Sequence, residues 1–127
     1  MVLYQKPDII GHLDKIKMHN RERYFSEEDH WYRKLIMESL ELIRDSDSIV
    51  EINTRGAYKG RSDSLFPDNW ILGVLNDFNI PVTISTDAHK PSELNLQFNN
   101  AIERIREYGF GEVMIYRDND WKAIPIK

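Results

Sequence analysis

Asp87-Ala88-His89 sets a carboxylate and an imidazole two residues apart, and both are common ligands for a divalent metal ion. In an extended segment residues i and i+2 point the same way, so the two side chains can close on one cation. A plainer reading has Asp87 capping the next helix and His89 as a solvated surface histidine. The triplet closes the apolar run Ile80-Pro81-Val82-Thr83-Ile84-Ser85-Thr86. Pro81 opens that run, β-branched residues fill it, and Lys90-Pro91-Ser92 break it, which reads as a buried strand ending in a loop. In alternating α/β proteins chemistry gathers just past the C-terminal ends of strands.

Two further strands end in the same manner. Pro7-Asp8-Ile9-Ile10-Gly11-His12-Leu13-Asp14 closes on a histidine with a carboxylate two residues on. Ile49-Val50-Glu51-Ile52-Asn53-Thr54-Arg55-Gly56 closes on a polar cluster. Three predicted strands therefore put metal- or anion-competent groups at one end, where strands built only for stability end in turn residues.

Composition narrows the chemistry. The 127 residues suffice for one domain with its own core. Lys and Arg number 17 against 21 Asp and Glu, and the net charge of −4 argues against a nucleic-acid surface. There is no cysteine, so any metal must be held by histidine and carboxylate. No apolar stretch is long enough for a membrane span and no signal peptide opens the chain, so a cytoplasmic protein is expected.

The elements that must position these groups alternate. The first strand is expected near Asp8–Gly11, followed by a polar loop from Asp14 to Phe25. Ser26-Glu27-Glu28-Asp29 then reads as a helix start, with Ser26 as N-cap and acids in the first turn. Trp31, Leu35, Leu40 and Ile43, with Ile36 and Leu42 beside them, form its apolar face, and it ends near Asp45–Asp47. The second strand is Ile49–Asn53, followed by a long loop from Thr54 to Phe66. Pro67 opens a helix whose inner face is Trp70, Ile71, Val74, Leu75 and Phe78. The third strand is Pro81–Thr86. Pro91-Ser92-Glu93 starts a helix that buries Leu94, Phe98, Ile102 and Ile105 and is capped by Gly109. A last strand, Val113–Tyr116, turns through Asp118-Asn119-Asp120 into an extended tail, Trp121–Ile126. This order implies a parallel sheet with right-handed helical crossovers, either half a barrel or a small open sheet.

The three strand-end motifs, with Ser85-Thr86-Asp87-Ala88-His89-Lys90-Pro91 as the most specific, resemble the later motifs of histidinol phosphatases of the polymerase-and-histidinol-phosphatase (PHP) superfamily. The resemblance spans essentially all 127 residues, with the motifs in family order. It implies the C-terminal half of a distorted (β/α)7 barrel, so that residues 1–127 form a partial PHP domain. It implies a cluster of zinc, iron or manganese at the strand ends, and hydrolysis of L-histidinol phosphate to L-histidinol in histidine biosynthesis. Carried over by position, His12, Asp87 and His89 become metal ligands and catalytic residues, with Asp87 doubling as a proton shuttle. Lys90, Arg55, Lys59 and Arg61 become candidates for the substrate phosphate. The family's opening His-x-His and the glutamate that bridges its metals have no counterpart among His12, His19, His30 and His89 or around them. Met1 then reads as an internal methionine of a longer enzyme or as the start of a truncated gene. The isolated chain is expected to bind metal weakly or in part, to turn over little, and to pair with its missing half or with itself along the first and last strands, both of them open edges.

Plainer readings stand beside these. His19 is either a phosphate contact or a solvated histidine, and His30 is a surface or packing residue. Asp14 either orients His12 or starts the loop; Glu51 either backs the site or makes a structural salt bridge; Asn53 is a candidate supporting residue. Trp31, Trp70 and Trp121 read as core or interface. Two other functions remain open: a non-catalytic PHP remnant serving as an interaction module, and a small α/β protein holding a single metal ion.

Overall fold

The structure, a computed structural model, describes residues 1–127. The chain runs through α1 (Val2–Gln5), β1 (Ile9–Ile10), a 3-10 turn at Lys15–His19, α2 (His30–Arg44), β2 (Ile49–Asn53) and α3 (Arg55–Tyr58). It continues with α4 (Asn69–Asp77), β3 (Val82–Ser85), a 3-10 turn at Pro91–Glu93, α5 (Phe98–Glu107), β4 (Glu112–Arg117) and β5 (Asp120–Pro125). Strands β1, β2 and β3 lie side by side in that order and all pair in parallel.

Register assigns each residue to a face, because partners across a parallel pair point the same way. Ile10, Val50, Ile52, Val82 and Ile84 share one face. It packs on Tyr32, Ile36, Leu40 and Ile43 of α2, Ile71, Leu72 and Leu75 of α4, and Ala101 and Ile105 of α5. The opposite face carries Ile9, Ile49, Glu51, Asn53, Thr83 and Ser85, and on it Glu51, Thr83 and Ser85 are only partly buried. A parallel sheet is ordinarily covered on both sides by apolar layers. Here the second side is largely polar and leads towards the strand ends.

Several expected elements shift. The helix expected from Ser26 begins at His30. Ser26 and the acids after it fold into a preceding turn, in which the Ser26 N–H donates to Asp29 Oδ2 (2.9 Å) and the Glu28 N–H to Ser26 Oγ (3.2 Å). Short polar side chains offer the backbone these local alternatives to a helix. The expected α2 face also turns: Tyr32 is buried, whereas Trp31, Leu35 and Leu42 are 53%, 55% and 44% exposed. Pro67 does not open α4; its bond to Phe66 is cis, Asp68 is the N-cap, and Leu72 joins the inner face. The helix expected from Pro91 is interrupted, leaving Leu94 exposed, and resumes at Phe98. Gly109 ends it as expected: its φ is 93°, and Phe110 N–H reaches back to Ile105 O (3.1 Å). The loop after Asn53 contains the short helix α3.

The last strand is not a fourth parallel strand. β4 pairs antiparallel with β5 in a separate hairpin, and the expected tail supplies its partner. Asp118 and Asn119 both have positive φ, the backbone of a tight turn that folds the chain straight back. The edges of the parallel sheet are therefore β1 and β3. Exposed apolar groups include Leu3 and Tyr4 of α1, Trp31, Leu35 and Leu42 on the outer side of α2, and Ile115, Tyr116 and Ile124 of the hairpin. No helix is long and apolar enough to cross a membrane.

Candidate functional site

His12, Asp87 and His89 do come together, through turns rather than extended strand ends. His12 follows β1 with φ 38°, its N–H held by Glu51 Oε2 (2.9 Å). Asp87 lies two residues beyond β3 with φ 49°, its N–H held by Ser85 Oγ (3.1 Å). The left-handed backbone at Asp87 breaks the extended i, i+2 geometry expected of Asp87 and His89. The pair still meets because the turn is tied down at its far end: His89 N–H donates to Glu93 Oε2 (2.9 Å).

The Asp87 carboxylate sits between the two imidazoles. Its Oδ2 is 3.7 Å from His12 Nε2, and its Oδ1 is 3.7 Å from His89 Nδ1. Bonds of about 2.1 Å at tetrahedral angles separate two ligand atoms by about 3.4 Å, so the His12–Asp87 pair fits a shared cation with little adjustment. His89 differs. Its Nδ1 lies 2.8 Å from the carbonyl oxygen of Asp87, an acceptor, which assigns the proton to Nδ1 and leaves the Nε2 lone pair for a metal. No three His, Asp or Glu side chains converge on one point as a finished cage.

The four basic candidates separate into two pairs. Arg55 sits in α3, its N–H capped by Asn53 Oδ1 (2.9 Å). One guanidinium nitrogen donates to the Asp87 carbonyl (2.6 Å) and to Glu93 Oε2 (3.3 Å). Lys59 Nζ pairs with Glu93 Oε1. Arg55 and Lys59, both expected to face the substrate phosphate, thus each meet an internal carboxylate. Arg61 is exposed and borders a narrow cleft with Lys15, Arg55 and Asp87. Lys90 is exposed beside His89.

Glu93 escaped the sequence reading except as a helix-start acid. It is 4% exposed. The Lys59 hydrogen bond first, and the His89 N–H second, hold its carboxyl far below the usual range, at about 2. The available signal was its isolation: it is the one acid between Asp87 and Glu103. Glu51 makes no salt bridge; besides the His12 N–H it accepts Asn53 Nδ2 (3.2 Å). Asn53 is fully buried and so links α3 to that carboxylate.

Asp14 does not touch His12. Its Oδ2 accepts Lys17 Nζ (2.8 Å) and the Asp68 N–H (2.9 Å), so it joins the loop after β1 to the start of α4. Lys17 is itself buried, with Glu27 and Asp68 at 3.8 and 3.7 Å. Burial raises the Asp14 and Glu27 carboxyls above their ordinary values. Burial acts on Asp68 in the same sense, but Lys17 and the Asn69 N–H outweigh it and hold that group low. His19 is exposed and makes no polar contact. His30 opens α2; Trp31 packs edge-on to Phe25, Trp70 lies under Arg33, and Trp121 meets Tyr116.

No family model matches the chain. It is similar to the histidinol-phosphatase of Bacillus subtilis (strain 168), 23% identical over 99 residues that cover 78% of this chain and 37% of that protein. It is also similar to the "Probable histidinol-phosphatase" of Deinococcus radiodurans, 26% identical over 110 residues covering 87% and 39% of the two. The chain spans less than two fifths of the length of these curated relatives. Distant and partial as they are, these similarities support a histidinol-phosphatase-like relationship.

Proposed function

We propose that this chain forms part of the active site of a cytoplasmic, metal-dependent phosphomonoesterase of the PHP type, acting on L-histidinol phosphate in histidine biosynthesis. The observation that carries the reading is the Asp87 carboxylate between His12 and His89, at the C-terminal end of a parallel sheet. His12 Nε2, Asp87 and His89 Nε2 would hold a zinc, iron or manganese ion; a cation there supplies an activated water and neutralises charge at phosphorus. Asp87, open on one side, can pass a proton to the leaving oxygen. Arg61 and Lys90 hold the non-reacting phosphate oxygens. Glu51 keeps the His12 backbone in its turn.

The winding supports a barrel segment. The strand order β1-β2-β3 is sequential and α2, α4 and α5 all pack on one face, whereas a doubly wound sheet reverses direction and carries helices on both faces. The polar second face then lines a lumen. In this reading residues 1–127 are a partial domain, and its partner, the rest of the barrel or a second copy, covers β1 and the apolar outer side of α2.

The test is metal content by mass spectrometry on the purified chain beside His89→Ala, with phosphate release from L-histidinol phosphate in added manganese or zinc. Sub-stoichiometric metal that falls in the variant, with slow turnover, is expected. Equal metal in both chains overturns the site. A second reading, a non-catalytic module that keeps the fold without a complete cluster, is favoured by the absence of a three-donor cage; it predicts no phosphate release, even alongside the partner half with added metal.

A further inference from the structure

We propose that Glu93 is an internal anion that positions the candidate site, holding His89 in place and withholding Arg55 and Lys59 from a bound phosphate. The proposal rests on the site reading above for what His89 does, but its geometry stands alone. Three donors from two segments meet on one buried carboxylate: Lys59 Nζ on Oε1, and Arg55 (3.3 Å) and the His89 N–H (2.9 Å) on Oε2. Tyr58 Oη also lies within 3.5 Å, but its single proton goes to the Thr86 carbonyl at 2.8 Å. Two cations and a backbone N–H around one carboxylate make the donor set that a phosphate would otherwise take.

The consequence runs through the turn. Arg55, steadied by Glu93, donates to the Asp87 carbonyl (2.6 Å), and the same carbonyl orients the His89 ring through Nδ1 (2.8 Å). Glu93 grips the other end of that turn at the His89 N–H. The ring direction and the free Nε2 thus depend on a residue that touches neither metal nor substrate. Glu93 is a positioning residue, and phosphate recognition falls to Arg61 and Lys90.

The experiment uses Glu93→Gln and Glu93→Ala in the whole chain without metal. It reads inorganic phosphate affinity by calorimetry and hydrogen exchange of the His89 amide. Glu93→Gln keeps an acceptor for that amide but loses the charge, so phosphate should bind about tenfold more tightly with His89 protection retained. Glu93→Ala should lose His89 protection, and adding Lys59→Met to Glu93→Gln should remove most of the gain. Unchanged or weaker phosphate binding in Glu93→Gln overturns the proposal, as does an equally protected His89 amide in Glu93→Ala. A residue that serves only stability would not tighten phosphate binding. Because no metal is present, failure here is distinct from failure of the metal site.

Discussion

Lys17→Met should be among the most damaging single changes in this chain. The Lys17 side chain is 4% exposed and that of Asp14 is 0% exposed, with 2.8 Å between them. Methionine keeps length and apolar contact, and only the ammonium disappears. Asp14 then retains the Asp68 N–H alone, and its Oδ1, already without a partner, stays buried. Removing one member of a buried pair leaves an uncompensated charge and costs about 3–5 kcal/mol, a large share of the roughly 5–15 kcal/mol that holds such a domain together. The loss should depend on pH. Burial already raises the Asp14 carboxyl, and without Lys17 it rises further. A group with a raised folded pKa contributes stability below its unfolded value that is lost as pH rises through the folded one. The gap between variant and wild type should therefore be wide at pH 7 and narrow towards pH 4. Urea unfolding followed by tryptophan fluorescence at both pH values measures it. A loss under about 1 kcal/mol at pH 7, the size of an exposed pair, or a gap independent of pH, would refute the reasoning. Adding Asp14→Asn should recover much of the stability.

Tyr32→Phe should be neutral or stabilising by up to about 1 kcal/mol in the same unfolding assay, because the buried Tyr32 hydroxyl has no partner to lose. Gly56→Ala should destabilise by about 1–3 kcal/mol, since a Cβ there runs into the buried Phe66 ring; a crystal structure should show α3 displaced and the Arg55 contact to Asp87 lengthened. Glu93, with a carboxyl at about 2 when folded against an ordinary 4.5, contributes stability above pH 4.5 that is lost as pH falls towards 2. Stability measured across that window in wild type and Glu93→Gln should converge at the acid end; parallel curves would contradict the assignment.

Much of the fold was legible along the chain. The Ile49–Asn53 strand lies where its β-branched pattern puts it, and β3 differs by a residue at each end. Those runs are short, apolar and bounded by turn residues, so local and tertiary preferences agree. The start of α2 is not legible in sequence because Ser26 and Asp29 bond the backbone locally in a turn, and a turn and a helix cap use the same residue types. Its buried face is ambiguous in sequence because apolar residues ring more of α2 than one sheet covers. The hairpin was hidden because pairing of Val113–Tyr116 with a neighbour in sequence or with a distant strand leaves the same alternation.

The sequence by itself determined that polar, metal-competent groups end the strands, that His12, Asp87 and His89 are the histidine and carboxylate candidates, and that Gly109 closes a helix. These follow from residue type and local backbone preference. Only the tertiary structure decided which charges are free. Arg55 and Lys59 meet Glu93 across 38 and 34 residues, and Lys17 reaches Ser64 across 47. A cation looks the same in sequence whether it faces water or a buried carboxylate. Its partner is chosen by how the sheet and helices bring distant segments together, and that choice separates a cation open to solvent from one that holds a loop in place.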